Sequence, residues 1–359
     1  MNKRYDVAAY IWPSYHCEPR VEHFWPEKDG EWYTVRRGTP RFPGHDMPRI
    51  PLLGCLDEAD PKVMRQHVEL ALAHGINVFI VDWYWYENAP CFERQLNEGL
   101  IPALEGTDAK FYLMWANHDV CDLWNMHVDT HWDQVQWPAR VPRDVLEPMF
   151  DRILEKYLTL DCYYRIAGNP VFSIFEYPTL MAGLGGLEPT RDALSWMRRR
   201  CVERGLPGLD IQAIGRGCAG AEAETGRALG FDSATAYQFC MDAGATGDFV
   251  TWANEAIRRW PDYETLYDTY YPHVSIGWDN THRNPSAGRE QVVMNSTPDA
   301  FEACLWKAKA WLDARPNQAP LVTINSWNEW TEGSYLLPDM RWGYGYLQAV
   351  RNVFGKDTR

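Results

Sequence analysis

Asp60-Pro-Lys-Val-Met-Arg-Gln-His-Val-Glu-Leu-Ala-Leu-Ala-His-Gly75-Ile-Asn-Val-Phe-Ile-Val-Asp-Trp83 reads as a helix that leads into a strand. Asp60 can cap the helix, Pro61 suits its first turn, and Gly75 suits its C-terminal end. Residues 77–83 then form a short apolar run with β-branched and aromatic side chains, the composition of a buried strand. Seven more such runs occur, at 7–12, 110–116, 170–175, 210–215, 233–239, 273–278 and 321–327. Helical patterns fit between most of them, among them 191–204, 221–229 and 299–313, the last behind a Thr297-Pro298 cap. Near-continuous apolarity suits parallel strands covered on their outer face. Eight strand-helix units without a linker predict one α/β domain over residues 1–359, a (β/α)8 TIM barrel. An open doubly wound sheet is the alternative. The long segments 13–59, 117–142, 279–296 and 328–342 all follow strands, so they are expected on the C-terminal face, where such barrels keep their active sites.

Composition narrows the function. The chain carries 18 Trp and 19 Tyr in 359 residues, more flat rings than a core needs, and such rings suit the apolar faces of sugars. Its formal charge of −14 argues against nucleic acid and against anionic membranes as partners. No apolar run reaches the ~18 residues of a membrane helix. Nine cysteines, none in a CxxC pair, predict reduced and mostly buried thiols. Met1–Arg4 leads straight into the first strand, so the expected location is cytoplasmic, or periplasmic or secreted if a leader has been removed. Oligomeric state is not legible.

The most informative stretch is Asn325-Ser-Trp-Asn-Glu-Trp-Thr-Glu-Gly333, directly after the eighth strand. Glu329 and Glu332 stand at i and i+3, a spacing that brings two carboxylates together on a helical turn. Paired carboxylates are the machinery of glycoside hydrolysis. Candidate substrate contacts come from other strand ends. They are Tyr10 and Trp12 after the first, Asp82, Trp83 and Trp85 after the second, and Trp115, Asn117 and His118 after the third. Glu176, Arg216 and Tyr237 follow the fourth, fifth and sixth, and Trp278, Asp279, Asn280 and Arg283 follow the seventh. Asn325, Trp327 and Tyr335 flank the carboxylates. At least two of Trp83, Trp85, Trp115 and Trp278 are expected to line the carboxylate pocket as sugar platforms, with a core aromatic belt as the alternative. His118 beside Asp119 makes a poor chelate and no HExxH occurs, so no metal and no cofactor is expected. Gly215-Arg-Gly-Cys-Ala-Gly220 matches GxGxxG but follows the fifth strand, the wrong place for a dinucleotide turn.

The stretch from Asn328 through Asp339, with Arg341-Trp-Gly-Tyr-Gly-Tyr-Leu347, resembles the C-terminal signature of the glycoside hydrolase family 99-like, or WbsX-type, proteins. Tyr10-Ile-Trp-Pro13, residues 75–85 and Gly277-Trp-Asp-Asn-Thr281 resemble the family's pattern in the same order. The resemblance implies a (β/α)8 barrel and retaining, metal-free cleavage of an α-linked, mannose-like oligo- or polysaccharide. It also implies that Glu329 acts as a base on the sugar 2-hydroxyl, through a 1,2-anhydro sugar, and that Glu332 acts as acid and then base. Thr331 stands where the endo-mannosidases carry His, which sets the chain on the family-99-like branch. The WbsX label carries a glycosyltransferase name, so a transferase acting on cell-surface polysaccharide stays open, as does a non-catalytic sugar-binding barrel.

Overall fold

The computed structural model describes residues 4–121, 124–125, 134–215 and 221–355. Eight parallel strands make the barrel wall: β1 (Asp6–Ile11), β2 (Val78–Tyr86), β3 (Lys110–Trp115), β4 (Asn169–Ile174), β5 (Asp210–Ile214), β6 (Ser233–Thr235), β7 (His273–Ser275) and β8 (Leu321–Asn325). They pair in chain order from β1 to β6, and β8 bridges β1 to β7. The remaining gap closes where Ala234 N–H donates to the Thr269 carbonyl and Tyr271 N–H to the Ala234 carbonyl, both at 2.9 Å.

Each strand returns through a helix: α1 (Pro61–Ala73), α2 (Ile101–Leu104), α3 (Arg143–Ile153), α4 (Leu187–Glu203), α5 (Ala221–Leu229), α6 (Phe249–Ile257), α7 (Pro298–Asp313) and α8 (Gly345–Phe354). The caps on α1 and α7 are those the sequence indicates. Asp60 accepts from Lys62 N–H at 2.8 Å, and Thr297 accepts from Ala300 N–H at 3.3 Å. β6, β7 and β8 are shorter than the apolar runs that mark them. Past Thr235 the backbone leaves the ladder, and Phe239 N–H bonds instead to Gln238 Oε1 and Ser275 Oγ, both at 2.9 Å. Of the eight described cysteines only Cys91, Cys201 and Cys304 are buried and Cys55 is exposed, so burial of the thiols is less general than expected.

The barrel interior beneath the mouth is polar and internally hydrogen-bonded. Thr235 Oγ1 lies 2.7 Å from Thr323 Oγ1, and His273 bridges Thr323 and Ser275 at 2.9 Å each. Burial drives the His273 imidazole down to about 3, so it sits there neutral. Tyr10 belongs to this layer, with its hydroxyl donating to the Ala236 carbonyl at 3.1 Å and its ring edge-on to Tyr237. No helix among the described residues is long and apolar enough to cross a membrane.

Candidate active site

Beyond Asn325 the chain makes a tight, fully tied turn. Asn328–Glu329 pairs antiparallel with Ser334–Tyr335 around a 3-10 turn at Trp330–Glu332. In that geometry residues three apart eclipse, so Glu329 and Glu332 fall on one side and hydrogen-bond to each other. Gly333 closes the turn at φ +63°, and a Cβ there would lie 2.8 Å from Asp279 Cβ, so only glycine fits. Ser326 Oγ accepts from Glu329 N–H and donates to the Ser334 carbonyl. The Asn328 side chain clasps both backbone groups of Trp12, at 2.8 and 2.9 Å. Asp279 N–H donates to the Glu332 carbonyl at 2.7 Å, which joins the β7 loop to the turn.

The carboxylates meet one guanidinium. Arg283 Nη1 donates to Glu332 Oε1 at 2.7 Å, and its Nη2 lies 3.5 Å from Glu329 Oε1. Tyr237 Oη lies 2.8 Å from Glu329 Oε2 and 2.9 Å from Asp82 Oδ2, and Asn325 Nδ2 reaches Glu329 at 3.4 Å. Burial, then the neighbouring Glu329 charge, push the Glu332 carboxyl well above its ordinary range. Asp82 is raised for the same two reasons. Burial also raises Glu329, but Arg283 and the Tyr237 hydroxyl oppose that rise.

The structure brings Glu329, Glu332, Asp82, Tyr237, Asn325 and Arg283 together. The β2 tryptophans lie elsewhere. Asp82 points into the barrel toward Tyr237, so Trp83 faces outward, where its Nε1 donates to Glu93 at 2.8 Å beside Arg152 of α3. Trp85 stacks on Trp83, and Trp115 is in register with Trp83 on the same face. Trp327 also faces outward, against His67 of α1. Trp12 holds Glu31 through its Nε1 at 2.5 Å. Asn117 bonds both backbone groups of Glu176, whose own carboxylate accepts from Thr179. The His118 ring packs between Tyr84 and Phe175. Asn280 is half-buried, with its N–H on the Gln291 carbonyl. Arg216 and the GxGxxG segment after Gly215 lie outside the described residues.

Trp278 lines a cavity of about 160 Å³ between the β7 and β8 loops, with His45, Arg49, Tyr335, Trp342 and Tyr346. Gly333 forms the wall nearest the carboxylates. Tyr335 stacks on Trp330 at 3.8 Å and donates to Asp339. Asp279 is held below the ordinary carboxylate range, because the His45 bond and the Arg49 charge outweigh its burial. Glu31, His45 and Arg49 escape sequence reading because the 13–59 loop carries no motif; its charge and aromatic content are the only signal.

The chain matches the family described as "Glycosyltransferase WbsX" over residues 7–350. A relative from Xanthomonas campestris pv. campestris, "Uncharacterized protein WxcX", is 30% identical over 366 residues, covering 97% of this chain and 49% of that protein. The chain thus spans about half the length of the curated relatives it matches. Among solved structures, a "Glycoside hydrolase-like protein" superposes with a TM-score of 0.66 at 16% identity, covering 99% of this chain and 95% of that one. The GH99 endo-alpha-mannosidase from Bacteroides thetaiotaomicron superposes with a TM-score of 0.63 at 16% identity, covering 96% and 95%. At such identities the likeness speaks for the fold alone, a TIM barrel.

Proposed function

The chain belongs to the WbsX family, and on that premise we propose that it is a retaining glycoside hydrolase acting on an α-linked, mannose-like oligo- or polysaccharide. The observation that carries this reading is the unequal environment of two touching carboxyls. Burial and the Glu329 charge push Glu332 well above its ordinary range, while Glu329, raised by burial too, rises less because Arg283 and the Tyr237 hydroxyl oppose it. Environments that drive two carboxyls apart assign an acid and a base. Glu329 takes the proton from the sugar 2-hydroxyl, and that oxygen attacks the anomeric carbon from the face opposite the leaving group. The glycosidic bond breaks as Glu332 gives its proton to the departing oxygen, leaving a 1,2-anhydro sugar. Glu332, now ionised, deprotonates a water that opens this intermediate at the anomeric carbon, and Glu329 returns its proton to the 2-oxygen. Configuration is retained after two inversions. Trp278, half-buried in the neighbouring cavity, is the ring that would stack on the sugar chain.

The family's name supports a second reading, transfer from an activated sugar donor. One experiment separates the two. The protein is incubated with a panel of α-linked oligosaccharides, and separately with sugar nucleotides and acceptor oligosaccharides, while proton NMR follows the first product. Release of the α-anomer without nucleotide supports hydrolysis. Transfer from a sugar nucleotide, with every oligosaccharide intact, overturns it.

A further inference from the structure

Glu31 sits 252 residues from Arg283 in sequence and fully buried against it. Its Oε1 accepts from Arg283 Nε at 2.7 Å and its Oε2 from Nη2 at 3.3 Å, a side-on fork. Its place is fixed on three sides. Trp12 Nε1 donates to Oε2 at 2.5 Å, and Ser14 Oγ lies 3.4 Å away. Glu31 N–H donates to the Ser14 carbonyl at 3.0 Å. Just before it, Gly30 runs so close to β1's exit that a Cβ would lie 1.7 Å from the Ser14 oxygen, at φ +64°. The Trp12 ring also lies 5.4 Å from the Arg283 guanidinium carbon.

A guanidinium has five N–H donors in a rigid fork and pairs most strongly with a carboxylate at two points. Here Glu31 takes the Nε edge. Glu332 receives a single contact, and Glu329 lies at the limit of bonding distance. We propose that Glu31 is a positioning residue for the reaction: it occupies the guanidinium edge that would otherwise clamp a catalytic carboxylate, and so leaves Glu332 free to carry a proton. This rests on the acid role given to Glu332 above. Among the described residues, the ionisable groups around the pair include Glu31, Tyr15 and, beyond Tyr15, Glu58 from the first loop, Asp82 and Tyr84 of β2, Tyr237 beyond β6, and Arg283 of the β7 loop. His282 and Asp279 stand behind Arg283. After burial and Glu329, the Glu31 charge is a further influence holding Glu332 up, against the downward pull of Arg283.

Carboxyl titration by NMR of the full chain with ¹³C-labelled glutamate tests this without turnover, with Glu332→Gln assigning the signal. In Glu31→Gln the Glu332 midpoint should fall by about one unit or more, since an unshared Arg beside a carboxylate lowers it by that order. Where hydrolysis is measurable, the alkaline limb of kcat/KM should fall with it, and kcat should drop more than KM rises. An unmoved Glu332 midpoint in the folded variant overturns the proposal. If Glu31→Gln does not fold, Glu31→Asp carries the same test. The shortened carboxylate cannot hold both nitrogens, so Glu332 moves down in smaller measure, and no movement again overturns the proposal. A chain that cleaves no sugar would sink the functional reading yet leave this titration readable.

Discussion

The Tyr237 hydroxyl stands 2.8 Å from Glu329 Oε2, and burial keeps that phenol protonated well above its ordinary range. Its bond to Glu329 therefore favours the ionised carboxylate. Tyr237→Phe removes the donor, so the Glu329 carboxyl rises further and the acidic limb of kcat/KM moves to higher pH. A hydrogen bond to a charged group is worth about 1.5–3 kcal/mol, so the loss in kcat/KM should be roughly 10–100-fold. An unshifted acidic limb would separate Tyr237 from the base.

The same phenol has one proton and faces two carboxyls. The hydroxyl is placed to donate to Asp82 Oδ2 at 2.9 Å as well as to Glu329, and when its one proton serves Glu329, the strongly raised Asp82 carboxyl is the group that can donate back to the phenol oxygen. Asp82→Asn keeps an N–H at that point and should retain activity within about tenfold, while Asp82→Ala should lose much more. Equal losses in steady-state assays would mean that Asp82 acts as a charge.

Trp83 should matter for stability and not for sugar binding. Its indole donates to Glu93, which also takes two bonds from Arg152. Burial opposes ionisation of Glu93, yet the Arg152 bonds bring its carboxyl down to about 2. That lies below the ~4.3 of an unfolded Glu, so the contribution is fully present above ~4.3 and is lost as pH falls toward 2. Trp83→Phe should lower Tm by an amount equivalent to about 1–3 kcal/mol, with KM unchanged. Glu93→Gln should also lower Tm and flatten its dependence between pH 5 and 2. A raised KM with an unchanged Tm for Trp83→Phe would put that ring in the cleft.

The contrast between Asp82 and Trp83 marks where sequence reading stops. All nine residues of β2 are buried, so no alternation of polar and apolar side chains announces which face is which. The parity is set by Asp82 meeting Tyr237, a contact across 155 residues. The barrel was legible because capped helices and apolar runs are local signals. The approach of Glu329 to Glu332 was legible because they stand three positions apart and a turn must follow the strand. Arg283 could be placed only as a residue after β7, and Glu31 not at all, since its role depends on a fold-back over Ser14 and an ion pair across the barrel mouth.

Trp278→Ala tests the cavity beside Gly333. KM for an oligosaccharide substrate should rise by about tenfold, the order of ~1–3 kcal/mol for a stacked ring, with little change for an aryl monoglycoside. Equal effects on both substrates would mean the ring supports the β7 loop only.

The central claim is the division of labour between Glu332 and Glu329, and leaving-group dependence in the two Gln variants reads it most directly. A general acid contributes ~10²–10⁴-fold, and only where the leaving group needs a proton. Glu332→Gln should therefore lose that factor on a natural oligosaccharide and keep most of its first-step rate on an aryl glycoside with an acidic phenol. Glu329→Gln should be inactive on both, because no leaving group replaces the missing activation of the 2-hydroxyl. Equal losses on both substrates for Glu332→Gln would contradict the account.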